Sequence, residues 1–346
     1  MTDFSSFPIT LLLWYREHAR QLPWRSDPTA YHVWISEIML QQTRVAAVLG
    51  YYQRFLEVVP TVSHLAELPE DQLMKLWQGL GYYSRARNLQ KAAGQIMELH
   101  GGQFPHTYDE IRSLPGIGDY TAGAISSIAF GLPVPAVDGN VLRVMSRVWC
   151  DEGDITAAAT KKRITQKLAQ LIPLQAPGDF NQALMELGAT VCLPNGAPLC
   201  DQCPVAQFCQ AHLENRTEQF PVKPPKASRR VEQRTVFLLF HENRVALRRR
   251  APKGLLAGLW EYPNEMTTQL PEQWNLHPCA LTHAAVGKHI FTHIEWHLTA
   301  LAGELDSPVL PEGWVWADRM ELQRIYAIPN AFSFAAQAVQ ERLGYF

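Results

Sequence analysis

Leu114-Pro115-Gly116-Ile117-Gly118-Asp119-Tyr120-Thr121-Ala122-Gly123, followed by Val137-Asp138-Gly139-Asn140, is the stretch on which the reading of this chain turns. Gly116 and Gly118 stand in a turn at the entrance of an apolar helix. Glycines there let backbone N–H groups approach a phosphate closely, and the positive end of the helix dipole favours the negative charge. Gly116 and Gly118 therefore read as a clamp for a DNA backbone. The second segment sets one carboxylate, Asp138, beside an apolar run. An aspartate before a helix is most often an N-cap, and an N-cap can still do chemistry.

Outward from this turn, the pattern up to residue 215 is helical. Apolar residues recur at helical spacing over 8–20, 31–55, 65–77, 85–99, 120–130, 139–150, 158–172 and 179–191, with a tight turn at Gly79-Leu80-Gly81. No convincing strand occurs in this part, which predicts an all-α domain over residues 1–216. Residues 217–234 include QFPVKPPKASRRVEQR, a basic, proline-rich stretch that reads as an extended linker. Strand signals follow at 235–240, 244–247 and 294–300, with a helix at 330–343, so residues 235–346 read as an α+β domain.

Four of the six cysteines, Cys192, Cys200, Cys203 and Cys209, fall in the spacing C-x7-C-x2-C-x5-C. Four clustered thiols in a reducing compartment point to metal rather than disulfides. The spacing suits a tetrahedral zinc or a [4Fe–4S] cluster and does not choose between them. Cys150 and Cys279 stand apart.

Composition narrows the partners. The chain has 31 Lys and Arg against 33 Asp and Glu, and residues 1–216 hold 17 against 20. Binding of nucleic acid must then rest on a local patch and on backbone amides rather than on global charge. No apolar run reaches the roughly 18 residues of a membrane span, and the N-terminus lacks a signal-peptide pattern. The expectation is a monomer in a bacterial cytoplasm, associated with DNA and not with membrane.

Glu37 lies among Trp34, Ile35, Ile38 and Met39. An exposed helical glutamate is the plainer reading of that position alone. If buried, its pKa rises and it can act as a general acid near neutrality. Two carboxylates, Glu37 and Asp138, are the working parts of many glycosyl-transfer sites. With a DNA clamp beside them, the substrate becomes a nucleoside that must be flipped from the duplex. Gln41-Gln42 and Tyr82-Tyr83 are then candidates for wedging or stacking, though each pair is ordinary on a helix.

With these motifs the chain resembles the MutY family of adenine DNA glycosylases, within the helix-hairpin-helix superfamily that includes endonuclease III. The resemblance rests on Leu22-Pro23-Trp24-Arg25, on Ser36-Glu37-Ile38-Met39-Leu40-Gln41-Gln42-Thr43 and on Gly79 to Asn88. The hairpin, Val137 to Val141 and the cysteine loop complete it. It covers nearly the whole length. It implies a helix-hairpin-helix glycosylase with an iron–sulfur loop, followed by a MutT-like (Nudix-fold) domain. By that resemblance Glu37 protonates adenine and manages the attacking water, and Asp138, supported by Asn140, stabilises the cationic sugar. Arg20, Trp24, Leu40, Val45 and Gln182 match positions lining the adenine pocket. Gln42 and Tyr82 match residues inserted around the partner guanine. The cysteines would hold a [4Fe–4S] cluster.

Bifunctional relatives carry a lysine where this chain has Tyr120. A phenol forms no imine, so a monofunctional enzyme is expected. The loop between Cys192 and Cys200 has seven residues where six are common, and Asn195-Gly196 favours a turn that would absorb the extra one. In the C-terminal domain no R-E-x-x-E-E array follows Gly258, so nucleotide hydrolysis is not expected. Phe291, Thr292 and His293, with His289, match residues that recognise 8-oxoguanine. The implied partner is double-stranded DNA with adenine opposite 8-oxoguanine or guanine. A lyase for damaged pyrimidines and a silent DNA-binding protein are the competing readings. Tyr120 opposes the first, and the two carboxylates, which repel DNA, oppose the second.

Overall fold

The computed structural model describes residues 3–225 and 228–344. The helices run α1 (Phe7–His18), α2 (Pro23–Ser26), α3 (Ala30–Leu40), α4 (Val45–Val58), α5 (Val62–Glu67), α6 (Glu70–Leu76) and α7 (Ser84–His100). They continue as α8 (Tyr108–Ser113), α9 (Asp119–Phe130), α10 (Gly139–Val148), α11 (Ala158–Ala169), α12 (Pro177–Thr190) and α13 (Gln210–Leu213). Among the described residues, strand first occurs at β1 (Arg230–His241). β1 is followed by β2 (Arg244–Arg249), β3 (Trp260–Glu261), β4 (Asn264–Glu265), β5 (Thr282–Ile290), β6 (Ile294–Glu304) and β7 (Trp314–Ala317). Helices α14 (Arg319–Arg324) and α15 (Ala336–Leu343) close the chain. No helix among the described residues is long and apolar enough to cross a membrane.

The chain forms two compact units, residues 1–67 with 88–225 and residues 68–87 with 226–346. In the first, Phe7, Leu11, Val141, Met145, Phe180, Leu184 and Leu187 share one core built by α1, α10 and α12. The helical pattern read across 31–55 is two helices. Helix α3 ends at Leu40, and Gln42 takes a left-handed φ of 56° before α4 begins. The run from 65 to 77 divides in the same way, into α5 and α6. Helix α8 carries too short a pattern to be seen in the sequence; the Thr107–Glu110 capping box starts it.

The second unit is built on a mixed sheet in which β1 pairs parallel with β6 and antiparallel with β2 and β4. Strands β5 and β6 form an antiparallel hairpin. Val236, Leu238 and Leu298 pack with Phe332 and Val339 on one face, and Phe237 and Leu239 pack with Trp274 and Leu276 on the other. Because β1 starts at Arg230, the end of the stretch read as linker is strand: Arg230 to Arg234 pair with Ile294 to Leu298. A mostly polar, largely exposed strand end such as Arg230-Val231-Glu232-Gln233-Arg234 looks like a linker until its partner strand is known.

Candidate active site

A cleft of about 880 Å³ opens in the first unit. Helix α3 contributes Ser36, Glu37 and Leu40, followed by Gln41 and Gln42; α9 and its entrance contribute Gly118 and Tyr120; Asp138 and Asn140 flank the start of α10. Arg20, Trp24, Val45 and Gln182 line the same cleft. The sequence reading thus converges on one place for Glu37, Asp138, Asn140, Tyr120 and the five residues assigned to base contact, with Gln42 beside them. Gly116 is in the hairpin, not in the cleft lining. Tyr82, Phe291, Thr292 and His293 belong to the second unit, where the Tyr82 and Thr292 hydroxyls lie 3.3 Å apart. There the His289 and Phe291 rings are 4.6 Å apart, centroid to centroid, and Phe291 stands 4.9 Å from Trp296.

The hairpin follows from its residues. Gly116 has φ +78°, and a Cβ there would fall 2.6 Å from Asn88 Cβ, so only glycine fits. Gly118 is the N-cap of α9 and offers no side-chain acceptor, which leaves the first N–H groups of the helix free of a side-chain cap. On α9, a Cβ at Gly123 would sit 2.4 Å from the Pro135 carbonyl oxygen. That close approach brings the segment ending in Asp138 against α9.

Glu37 is 6% exposed, which rejects the exposed-helix reading. Burial lifts its carboxyl pKa to about 7, with a further push from the Asp138 charge and an opposing hydrogen bond from the Tyr120 hydroxyl. Tyr120 also approaches Met185 Sδ at 3.4 Å, and its own pKa is driven well above the ordinary phenol range, chiefly by burial. Its role as Glu37's hydrogen-bond partner is not legible in the sequence.

Asp138 caps α10, accepting from the Val141 N–H at 2.8 Å and from Asn140 Nδ2 at 2.8 Å. Burial raises its pKa, and those hydrogen bonds pull the other way. Arg143 Nη2 donates to Asn140 Oδ1 at 3.0 Å and to the Gly188 carbonyl at 2.6 Å, and its Nε donates to the Cys192 carbonyl at 2.9 Å. One turn on, Arg147 Nη1 donates to Cys192 Sγ at 3.1 Å.

Two other groups escape sequence reasoning. Glu186, 1% exposed, receives Arg20 Nε at 2.5 Å and Arg20 Nη2 at 2.9 Å. Arg25 Nη2 reaches the same carboxylate at 2.8 Å. Burial pushes the Glu186 pKa up, but the two guanidinium groups outweigh it and hold the group below the usual range. The signals present were Arg25 at the end of the Leu22 to Arg25 motif and Glu186 one helical turn beyond Gln182.

Cys192, Cys200, Cys203 and Cys209 all line one small, almost wholly apolar cavity with Val144, Leu187 and Val205, and none is in a disulfide. Burial raises the Cys203 thiol to about 12 and the Cys209 thiol to about 11. Among the described residues, the side chains as placed do not gather into a closed group of metal ligands. Four soft donors around one cavity nonetheless fit a metal cluster by chemistry, since thiolates set against apolar side chains are stabilised by a bound cation. Gly196 takes φ +74° in a bend of this loop.

The fold and cleft define a class. Residues 35–173 match the HhH-GPD superfamily base excision DNA repair protein family, and residues 235–337 match the NUDIX domain family. A solved thermostable thymine-DNA glycosylase superposes with TM-score 0.55 at 28% identity, over 60% of this chain and 95% of its own. Endonuclease III trapped on DNA shares the fold, with TM-score 0.53 at 23% identity over 62% of this chain and 99% of its own. The adenine DNA glycosylase of Homo sapiens is 36% identical, covering 93% of this chain and 72% of the human protein. That of Buchnera aphidicola subsp. Baizongia pistaciae is 38% identical, over 73% of this chain and 72% of its own. The chain belongs to the adenine DNA glycosylase family.

Proposed function

We propose that this enzyme hydrolyses the N-glycosidic bond of adenine placed opposite 8-oxoguanine or guanine in double-stranded DNA, without cleaving the strand. The observation that carries the reading is Glu37, buried in the cleft with a pKa of about 7, with a second, half-buried carboxylate, Asp138, in the same cleft. Near neutrality Glu37 carries a proton that it gives to the flipped adenine as the glycosidic bond breaks. The bond's electron pair leaves with the base. The resulting Glu37 carboxylate then takes a proton from the water that attacks the sugar. Asp138, oriented by Asn140 and the Val141 N–H, stabilises the positive charge developing on the sugar. Tyr120 holds Glu37 and has no amine to form an imine.

The N–H groups at the start of α9, together with Gly116 and Gly118, are suited to a backbone phosphate. The four cysteines would hold a [4Fe–4S] cluster, which supplies structural ligation to the loop when bound. Tyr82, Phe291, Thr292 and His293 would read the 8-oxoguanine, with Gln42 in the stack.

Single-turnover release of adenine from duplexes with 8-oxoguanine, guanine or thymine opposite tests the substrate. Release fastest opposite 8-oxoguanine supports the reading; equal release opposite all three overturns the lesion preference; release from none overturns the function.

A further inference from the structure

Gln182 lines the cleft, and its amide is held from behind. Arg25 Nε donates to Gln182 Oε1 at 3.1 Å. Arg25 is itself fixed at its other nitrogens, Nη1 to the Arg20 carbonyl at 2.9 Å and Nη2 to Glu186 at 2.8 Å, and it lies over the Tyr15 ring at 5.5 Å. Its side chain is only 15% exposed. A guanidinium donates and never accepts, so the atom facing it must be the Gln182 oxygen. The amide nitrogen then points away, and among the described residues nothing accepts from it. A rotatable amide can otherwise present its donor and acceptor in either order.

We infer that Arg25 is a positioning residue that sets base specificity by locking the Gln182 amide, with Glu186 as its anchor. The inference rests on the adenine-release reading. In the locked orientation Gln182 presents its N–H beside the one remaining lone pair of Oε1. A donor–acceptor pair of this kind matches adenine, whose 6-amino group donates while the neighbouring ring nitrogen accepts. Hypoxanthine, with an oxygen at position 6, leaves the Oε1 lone pair facing another acceptor, and on the N1 edge its ring N–H also opposes the Gln182 N–H. Unpaired buried polar atoms are the strong source of such discrimination.

The test compares single-turnover release of adenine and of hypoxanthine from otherwise identical duplexes by wild type, Arg25→Met, Arg25→Lys, Gln182→Ala and the Arg25→Met/Gln182→Ala double variant. The adenine-to-hypoxanthine ratio should fall about tenfold in both Arg25 variants, since Lys keeps the charge beside Glu186 but not the planar fork. The double variant should lose no more than Gln182→Ala alone. A wild-type ratio in Arg25→Met, or losses that multiply in the double variant, overturns the inference.

The side-chain amide signals of Gln182 in 15N-labelled protein give a readout independent of activity. Their chemical shifts should lie away from those of a freely rotating glutamine in wild type and move toward them in Arg25→Lys. Identical signals in the two proteins overturn the lock. Should wild type release no adenine at all, the functional reading fails while these signals still decide the lock.

Discussion

Glu37, the proposed acid, shows how one buried group would tie the proposed chemistry to stability. Its folded-state pKa of about 7 lies above the ordinary 4.5, so the folded protein binds this proton more tightly than the unfolded chain does. The stability attached to that proton is fully present below about pH 4.5 and is lost as pH rises through 7. The difference is worth on the order of 3 kcal/mol. Glu37→Gln should therefore gain stability over wild type at pH 8 and show no such gain at pH 4.5, as measured by chemical denaturation at the two pH values. A gain equal at both would show that Glu37 is not held protonated by burial. In the wild type, the single-turnover rate should fall about tenfold per pH unit above about 7 as the acid is lost, and a rate flat to pH 9 would contradict the assignment. The sequence made Glu37 and Asp138 visible as residue types, and their apolar neighbours made burial of Glu37 possible. It did not disclose the Tyr120 hydroxyl on Glu37 or the two arginines on Glu186. Those contacts join residues 83, 161 and 166 positions apart, and no local pattern encodes them.

Among the elements, the hairpin between α8 and α9 is the most legible, because its glycines have local causes. The left-handed φ of Gly116 and the Asn88 side chain 2.6 Å from its absent Cβ both exclude larger residues. Gly116→Ala should cost about 1–3 kcal/mol of stability and weaken DNA binding at fixed salt. Denaturation together with a binding titration checks both, and a variant with wild-type stability and affinity would remove the turn from the DNA interface. Elements whose signals are short or shared were harder to read. Helix α8 spans six residues, β3 and β4 two each, and β1 begins in a stretch with the composition of a linker. Their stability comes from partners distant in sequence rather than from periodicity.

For the whole molecule, the sequence divides the chain at the basic proline-rich stretch, but the compact units do not follow that single cut. Residues 68–87 lie within the HhH-GPD match yet pack with residues 226–346. Lys75 Nζ donates to the carbonyls of Leu322 and Tyr326 at 2.8 and 3.1 Å, and Gln78 Nε2 to that of Ile328 at 3.0 Å. Such a crossing could not be inferred from composition shifts, which mark only where covalent segments change character. It places Tyr82 in the same unit as Thr292, and the proposed reading of the lesion uses both. Thr292→Ala should lower the preference for 8-oxoguanine over guanine opposite adenine several-fold without abolishing base release, and an unchanged ratio would take Thr292 out of recognition. The central claim, a monofunctional glycosylase acting through Glu37, is tested most directly by single-turnover reaction of wild type and Glu37→Gln on an adenine:8-oxoguanine duplex, analysed with and without alkali. The account expects wild-type strand breaks only after alkali, and none from Glu37→Gln although it still binds the duplex. Breaks without alkali, or near-normal release by Glu37→Gln, would contradict it.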